Sequence, residues 1–448
     1  KNYYVRTKYG SSNPAGIFSN WSVANLFKTK SEPLYADDVF STFLYEGNGS
    51  TQTIANGIDL AGEGGLVWIK NRDKGGSPTA WASNYLFDTA RNPDNSSSME
   101  YFITSRTSGS GPTNSEVAHD FGGWASNGFL LGQPYSMGAD ALNGSGDDFV
   151  SWTFRKQPGF FDIVTYTGDG LIDRTVPHSL GSEPGMIIVK KISGEGMWYV
   201  WHRDLGGTGK ALQLDSAAVL DSNYNLFSTL PTDSVFSPGD NSHTNQYGQT
   251  FIAYIFAHDD ARFGPNGDES IIKCGSYTGN ASTAGPEIDL GFEPQFLLYK
   301  NIDQASNWEM IDTMRGMPNP NTSNNYMKLL RPNTTDPEGT DFSTYPTPTG
   351  FKITNNGASN NGTNNKYIYV AIRRPHKPAT VATDVFFVTE ENSSSNVFDV
   401  GFPPDTVLSI GYNGSSRFFS SRLLGGIKML EANESKVEDN YNASFDLQ

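Results

Sequence analysis

The chain is almost without cysteine. It has one, Cys274, among its 448 residues. A framework of internal disulfides is therefore excluded, and so is a zinc site built from several cysteines. Cys274 lies in a short apolar run at residues 271–274, where we expect it to behave as a small buried hydrophobic side chain. Cysteine usage leaves the redox compartment of the protein open.

Long apolar runs and an excess of basic residues are also missing. No run approaches the roughly 20 apolar residues that a transmembrane helix needs, and no signal-peptide pattern opens the chain at Lys1. There are 48 acidic residues against 32 lysines and arginines, which gives a net charge of −16. This charge argues against a nucleic-acid backbone or an anionic lipid surface as the partner. We expect neither nucleic-acid binding nor membrane insertion.

Established catalytic motifs are missing as well. The sequence has no P-loop, no nucleophile elbow and no HExxH motif, and its six histidines never pair at ligand spacing. A glycosidase needs two facing carboxylates, but 48 acidic residues offer too many pairs for the sequence to nominate one. We therefore predict no catalytic residues, no resident cofactor and no enzyme.

Calcium is the one metal that the sequence leaves open. Two loops, at residues 143–148 and 259–269, are rich in Asp and Asn, and their oxygen atoms are ligands that Ca²⁺ accepts. Neither loop has the spacing of an EF-hand, and Asn-Gly and Gly-Asp pairs are ordinary in turns. Both interpretations stay open.

The sequence does contain the same order of predicted elements three times. Each copy opens with an aromatic strand that runs into a Tyr-x-Gly turn, at Tyr45, Tyr166 and Tyr277. A strongly apolar strand that ends in lysine follows. Each copy then closes with another strand, which at residues 149–155 alternates in the way that is typical of a half-buried strand. The tyrosines are more than a hundred residues apart, so the repeated unit has the size of a domain rather than of a solenoid repeat.

The composition and the repeat together predict the fold class. Many short aromatic strands separated by Gly, Asn, Ser and Pro are typical of β-sandwiches and barrels. We predict an all-β chain of tandem antiparallel β-sandwich domains. The predicted units are residues 1–38 (a connector or the end of a preceding domain), 39–157, 158–268 and 269–378 (three repeats), and 379–448 (a partial fourth repeat, with more protein expected beyond Gln448).

The linkers between repeats are short. Only residues 156–159 separate the first closing strand from the next opening strand, and residues 375–378 contain two prolines after the third repeat. Such joints allow little swinging, and proline stiffens them further. We expect the domains to stack end to end as a semi-rigid rod.

Two sets of residues are candidates for binding. Sugar binding would suit a β-sandwich with exposed aromatic rings, and Trp198, Trp201 and Trp308 are the rings that could stack on a pyranose. The same tryptophans fall at equivalent points of two repeats, as core positions would, and the core is the favoured interpretation.

The second candidate set is an Asp-Thr-x-Arg motif. Asp88 and Arg91 in the first repeat recur at the same spacing as Asp312 and Arg315 in the third. Each pair is either a local ion pair that fixes a turn or a ligand site repeated in each domain.

Several longer phrases carry a family resemblance. They lie at residues 57–72, 150–156, 184–190 and 271–280. They resemble the repeated domain of virion structural proteins of marine tailed phages, a family that includes tail-associated or fibre proteins of cyanophages and pelagiphages. The resemblance covers about residues 40–375 and, more weakly, the remainder. It implies concanavalin-like or laminin-G-like (jelly-roll) sandwiches and carries over no catalytic residues.

This resemblance also sets the expected function. It implies a tail- or fibre-associated virion protein on the particle surface, which forms a rod of β-sandwich repeats for host-surface attachment. The expected partners are other tail or capsid proteins and a host-surface glycan or receptor, and a homotrimer is the default assembly. The alternatives are a glycan-degrading tail enzyme (a depolymerase) and a Ca²⁺-dependent, lectin-like capsid-surface protein.

Overall fold

The computed structural model describes most of the three repeats and parts of the remainder. The described residues are 2–5, 25–28, 32–75, 82–94, 99–105, 120–132, 141–221, 224–317, 327–341, 344–382, 386, 388, 405–410, 417–421, 428–431 and 439–440. Among them, nearly all regular structure is β-strand, and every strand pairing is antiparallel. The predicted all-β class is confirmed. No helix in the described part of the chain is long and apolar enough to cross a membrane.

The first repeat is a sandwich of two sheets. A short pair, β1 (Asn2–Val5) and β2 (Asn25–Lys28), precedes it. Its elements are β3 (Phe40–Glu46), β4 (Gln52–Ala55), α1 (Leu60–Glu63), β5 (Gly65–Asn71), β6 (Asn84–Asp88), β7 (Phe102–Ile103), β8 (Phe121–Ala125), β9 (Gly128–Leu131) and β10 (Asp148–Arg155). The larger sheet has the order β3-β10-β5-β6-β7 and the smaller one β4-β9-β8. The closing strand β10 therefore lies between the opening strand and the lysine-ending strand.

The second repeat has the same plan. Its elements are β11 (Phe161–Thr167), β12 (Val176–Pro177), β13 (Pro184–Lys191), β14 (Tyr199–His202), β15 (Leu212–Gln213), β16 (Phe227–Thr229), β17 (Val235–Pro238), α2 (Ser242–Asn245) and β18 (Thr250–Ala257). Its sheets have the orders β11-β18-β13-β14-β15 and β12-β17-β16, the same arrangement as in the first repeat.

The third repeat keeps the central strands of both sheets. Its strands are β19 (Ile272–Thr278), β20 (Glu287–Asp289), β21 (Pro294–Asn301), β22 (Trp308–Asp312), β23 (Met327–Leu329), β24 (Gly339–Asp341), β25 (Thr344–Thr347), β26 (Gly350–Ile353) and β27 (Lys366–Arg373). The sheets are β19-β27-β21-β22 and β20-β26-β25, with a separate pair β23-β24.

Beyond the repeats, four further strands form one sheet. They are β28 (Thr406–Ile410), β29 (Arg417–Ser421), β30 (Lys428–Glu431) and β31 (Asp439–Asn440), paired in chain order. Residues 398–402, in the predicted partial fourth repeat, lie outside the described residues.

The repeated Tyr-x-Gly turn is held by a buried asparagine. The tyrosine hydroxyl donates to the carbonyl just before that asparagine, in the pairs Tyr45 to Leu142 (2.8 Å), Tyr166 to Thr244 (2.7 Å) and Tyr277 to Asn360 (2.8 Å). The side-chain oxygen of the asparagine (Asn143, Asn245 or Asn361) accepts from the turn backbone at 2.8–3.0 Å. The turn needs glycine, because a Cβ on Gly168 would lie 2.3 Å from the Gln246 carbonyl oxygen.

Both faces of the central strands of each larger sheet are buried. In β5, Val67 and Ile69 face the smaller sheet of their own repeat, whereas Leu66 and Trp68 face the other repeats. The closing strand β10 is buried on both faces as well, down to its serine and threonine. The half-buried pattern predicted for this strand is therefore wrong, since a strand covered on two sides need not expose its polar residues to water.

The three larger sheets pack against one another around a shared aromatic core. The ring of Phe154, in the first repeat, lies 5.7 Å from Phe256 of the second and 6.3 Å from Phe296 of the third. Phe40 and Phe296 are 5.5 Å apart. The rod predicted from the short linkers is wrong for these three repeats. The short linker at residues 156–159 instead joins two repeats that pack against each other, and the apolar outer face of every larger sheet is covered by its neighbours.

The ends of the three-repeat unit also meet. The His376 backbone N–H donates to Asp37 Oδ2 at 2.9 Å, and Lys377 Nζ to Asp38 Oδ1 at 2.9 Å. The Tyr35 ring contacts the ring of His376 edge-on. The chain therefore leaves the unit where it entered, and repeats one to three form a closed triangle.

Candidate functional site at the junctions between repeats

Two of the three candidate tryptophans, Trp198 and Trp308, lie at the junctions between repeats. At one equivalent position, a side-chain N–H of each repeat donates to a backbone carbonyl of a neighbouring repeat, and the three carbonyls are also at equivalent positions. The bonds are Trp198 Nε1 to Ile103 O (3.2 Å), Trp308 Nε1 to Gln213 O (2.8 Å) and Asn84 Nδ2 to Arg331 O (3.1 Å). Trp201 is buried and donates to Gly207 O. With these rings buried, none offers a face to a sugar, so the stacking prediction is wrong and the core interpretation holds.

The Asp-Thr-x-Arg motif fixes a turn in both repeats. Arg91 Nε lies 2.6 Å from Asp88 Oδ2, and Arg315 Nε lies 2.7 Å from Asp312 Oδ2. Each aspartate also accepts the arginine's own backbone N–H at 2.9 Å through its other oxygen. The turn-fixing interpretation is confirmed by these bonds.

Each of the two aspartates also binds a neighbouring repeat. Tyr254, in the second repeat, donates its hydroxyl to Asp88 Oδ2 at 2.8 Å. Trp152, in the first repeat, donates Nε1 to Asp312 Oδ2 at 3.1 Å. The sequence did not reveal this second role, because Trp152 and Tyr254 are equivalent residues whose partners lie more than 150 positions away.

In the second repeat a histidine takes the place of the aspartate. His202 is fully buried, and its Nε2 lies 3.1 Å from the Tyr369 carbonyl oxygen of the third repeat. Its Nδ1 accepts from the Asp204 N–H at 3.2 Å, so Nε2 carries the proton and donates. Burial lowers the pKa of His202 to about 4. The sequence holds a signal for this replacement, since His-Arg-Asp-Leu at residues 202–205 takes the position that Asp-Thr-x-Arg takes in the other two repeats.

The junction between the third and first repeats is closed by charge. Glu338 accepts two hydrogen bonds from Arg72, at 2.9 Å from Nε and 3.1 Å from Nη2. Its Oε2 also lies 3.5 Å from Arg315 Nη1. A nearly buried carboxylate thus lies between two guanidinium groups from different repeats.

The other two junctions differ at the same two positions. Ile192 and Ile302 are the residues equivalent to Arg72. In all three repeats the backbone N–H at this position donates to the backbone carbonyl of the first residue of the closing strand. These bonds are Arg72 to Asp148, Ile192 to Thr250 and Ile302 to Lys366. Between the second and third repeats, Ile302 and Leu205 are both buried, so this junction is closed by apolar contact.

Between the first and second repeats, a cavity lies beside the equivalent residues. It has a volume of about 320 Å³ and is lined by Arg91 and Ile192, together with Thr165, Thr167 and Thr250. The Arg91 side chain is only 2% exposed. Within the described residues, its Nη1 has no hydrogen-bond acceptor.

A family comparison fits the three-repeat unit. The family model described as a domain of unknown function (DUF7483) matches residues 36–375. The chain belongs to this family. The match begins beside Asp37 and ends beside His376, the two residues that join the ends of the triangle. The DUF7483 domain is therefore the closed unit of three repeats rather than a single sandwich. No curated protein matches the chain.

The acidic loops of the DUF7483 domain engage basic side chains. The ion pairs are Asp147–Lys74 (2.5 Å), Asp148–Arg72 (3.8 Å), Asp259–Lys273 (3.6 Å), Asp260–Arg262 (2.5 Å) and Glu269–Arg373 (2.8 Å). In the part of the chain that the structure describes, no three metal-ligating side chains of His, Cys, Asp or Glu come together. Calcium binding stays a prediction.

The lysine that ends each repeated strand is buried in this domain. Lys70 donates to Ala82 O at 2.5 Å, Lys300 donates to Asn301 O at 2.8 Å, and Lys190 donates to the Gly196 carbonyl. Burial lowers the pKa of each of these three amines to about 8. The lysine side chains thus lie buried at the ends of these strands, where backbone carbonyl oxygens accept their hydrogen bonds.

Proposed function

We propose that this DUF7483 protein is a structural component of a phage virion, tail- or fibre-associated, that serves host-surface attachment. The support from the sequence is the resemblance of residues 40–375 to repeated domains of marine-phage virion proteins. The observation that carries the proposal is the closed triangle of repeats. The residues that were candidates for ligand binding make contacts within the triangle instead, which suits a rigid structural component.

The triangle changes the shape expected of such a component. Repeats one to three form a compact body with a shared core, so they act as one head or knob rather than as three links of a fibre. Interfaces of this kind, apolar at the centre and hydrogen-bonded around it, resist relative motion of domains. In this proposal the concanavalin-like sandwiches supply the rigidity.

Attachment is assigned to the outer loops, where the repeats differ. The tip beside the Tyr-x-Gly turn of the second repeat exposes Leu171 by 64% and Tyr247 by 81%. The equivalent tip of the first repeat has Ser50 and Ser145. An exposed aromatic ring with aliphatic neighbours is suited to a glycan or protein surface. The proposed partners are therefore a host-surface glycan or receptor on one side and other tail or capsid proteins, in a homotrimer, on the other.

The location can be tested by imaging. Antibodies raised against the purified chain are labelled with gold and applied to intact phage particles and to sections of infected cells. We expect label on the tail or particle surface. Label confined to the host cytosol, with none on particles, would refute the proposal.

A further inference from the structure

The outer face of each larger sheet contributes a row of three apolar side chains to the shared core. In the second repeat the row crosses β13, β14 and β15, where Ile188 is paired with Val200 and Val200 with Leu212. The equivalent rows are Trp68, Leu86 and Phe102 in the first repeat and Leu298, Met310 and Leu330 in the third. All of these side chains are 3% exposed or less, and they lie in one core cluster. The row is therefore the part of a repeat that faces its neighbours.

The sheet of β28–β31 has the same row, and there the side chains are exposed. Leu408 on β28 is paired with Phe419 on β29, which is paired with Leu430 on β30. The sequence supports the equivalence, since Phe419 stands three positions before an Arg-Leu-Leu-Gly phrase as Val200 stands three positions before Arg-Asp-Leu-Gly. Leu408 is 58% exposed and Leu430 38%. Ile410, on the same face of β28, is exposed as well.

The inner face of a larger sheet is covered by its own repeat. In the third repeat, Leu297 packs in one cluster with Leu290 and Phe292, which come from the phrase at residues 288–292. Residues 398–402 of the fourth repeat are equivalent in sequence to that phrase. They therefore correspond to the inner face and not to the face of the exposed row.

The outer face of a larger sheet is covered by other repeats. The ring of Phe102, in the first repeat, lies 5.2 Å from that of Trp198 in the second. The ring of Trp152, also in the first, lies 6.2 Å from Phe296 in the third. The triangle is closed by its three repeats, so a fourth sheet has no place in it. The partners that match the exposed row are two further sheets of the same kind, and two more copies of this chain would supply them.

The hydrogen bonds beside the rows run one way around the triangle. The donor stands two positions before the middle residue of the row, as Trp198 does, and the acceptor carbonyl follows the last residue, as that of Gln213 does. The second repeat donates to the first, the third to the second and the first to the third. Such a head-to-tail contact closes into a ring. In the sheet of β28–β31 the two positions are those of Arg417 and Glu431, which have opposite charges.

We infer that the outer face of the β28–β31 sheet is a trimer interface, in which the row of Leu408, Phe419 and Leu430 packs against the same row of two further copies of this chain. Arg417 of each copy lies against Glu431 of the next, in the direction of the bonds within the triangle, and the opposite charges fix the register of the contact. The inference deepens the proposed function by giving its homotrimer an interface, and it rests on that function only for the biological use of the assembly.

The mass of the purified full chain in solution is the direct test. Sedimentation equilibrium, or light scattering after size-exclusion chromatography, measures this mass over a series of protein concentrations. We expect about three times the 48.9 kDa of one chain. A monomer at every concentration, or a dimer, overturns the inference.

Two matched variants assign the assembly to this face. Leu408→Glu places a charge in the apolar row, and because burial of an unpaired charge is costly, the mass should fall to that of one chain. The control is Leu230→Glu, at a leucine of the second repeat with nearly the same exposure, 60% against 58%. This control should stay trimeric. A trimeric Leu408→Glu variant, or equal dissociation of the control, contradicts the assignment.

A charge exchange tests the contacts between copies without changing the apolar row. Arg417 is exposed, and Arg417→Glu would bring two acidic residues together at each contact, so the trimer should dissociate at a concentration at least about tenfold higher. The double variant Arg417→Glu with Glu431→Arg has opposite charges again and should associate as the wild type does. Wild-type association of the single variant, or no recovery in the double variant, contradicts the ring of contacts.

These measurements use the isolated chain and are separate from the imaging of particles. A trimer in solution with no label on particles refutes the virion location alone. A monomer in solution with label on particles refutes the trimer interface alone.

Discussion

Arg72 and Glu338 are 266 residues apart in the chain and form a two-point ion pair across the junction of the first and third repeats. The Glu338 backbone N–H also donates to the Arg72 carbonyl at 2.7 Å. The two residues are therefore joined through side chains and backbone together. This pair joins the third repeat to the first and so closes the triangle.

Removing the charge of Glu338 should open this junction. In Glu338→Gln, Arg72, Arg315 and Lys328 stay close together without the carboxylate they share. Breaking one partner of a largely buried pair leaves uncompensated charge, and we expect a loss of about 3 kcal/mol in the free energy of unfolding. Chemical denaturation followed by tryptophan fluorescence measures it.

The matched control for this variant is an exposed pair. Lys352 and Glu287 are 3.5 Å apart, with the glutamate side chain 60% exposed. Glu287→Gln should cost less than about 1 kcal/mol, because water screens such pairs. Equal losses in the two variants would show that Glu338 does not hold the junction.

The strands and their grouping into repeats could be predicted from the sequence. The Tyr-x-Gly turns, the apolar strands and the Asp-Thr-x-Arg turns are local patterns, and local hydrogen bonds stabilise them. Arg91 and Asp88, for example, are three residues apart and bind each other. The buried Asn143 was missed, although an asparagine stands six residues before the closing strand's first aromatic residue in every repeat.

The triangle could not be predicted in the same way. One apolar face of a strand such as β10 packs inside its own sandwich, and the other apolar face packs against neighbouring repeats. The sequence of the strand does not indicate which repeat that neighbour is. The short linker at residues 156–159 is compatible with a rod and with a corner. The decisive contacts, such as that of Tyr254 with Asp88, join residues 166 positions apart. The cavity beside Arg91 is a consequence of that packing, so no local motif marks it.

Acid should weaken the junction between the second and third repeats through His202. Burial holds its pKa at about 4, below the ordinary 6.5. Between these values the unfolded chain binds a proton that the folded chain does not, so stability falls as the pH falls. The contribution from pH 7.5 to 4.5 is a loss of about 2.5 kcal/mol.

This pH effect can be isolated with His202→Gln. Glutamine can still donate to the Tyr369 carbonyl but does not titrate. We expect the variant to be less stable than the wild type at pH 7.5 and to lose less stability on acidification. Denaturation midpoints at matched pH values measure both slopes, and parallel curves for the two proteins would contradict the role of His202.

Raising the pH above neutrality should increase the free energy of unfolding through Lys190. Burial lowers its pKa to about 8 from 10.5. Between these values the unfolded chain binds the extra proton, so stability rises with pH. Relative to Lys190→Met, the wild type should gain about 2 kcal/mol between pH 7.5 and 9.5. Lys210→Met, at a partly exposed side chain, is the control, and a flat difference for Lys190→Met would refute the effect.

The repeated turn should tolerate no side chain at its glycine. In Gly168→Ala the new Cβ would lie 2.3 Å from the backbone carbonyl oxygen of Gln246, and the side chain of the adjacent Asn245 holds the turn in place. Relief requires the turn to move away from the asparagine, which breaks its hydrogen bonds; we expect a loss of about 3 kcal/mol or more. Gly194→Ala, whose nearest atom would be a flexible lysine carbon at 3.8 Å, should change stability by less than about 0.5 kcal/mol. Thermal unfolding of the two variants distinguishes them, and a tolerated alanine at Gly168 would mean that the turn is not held by Asn245.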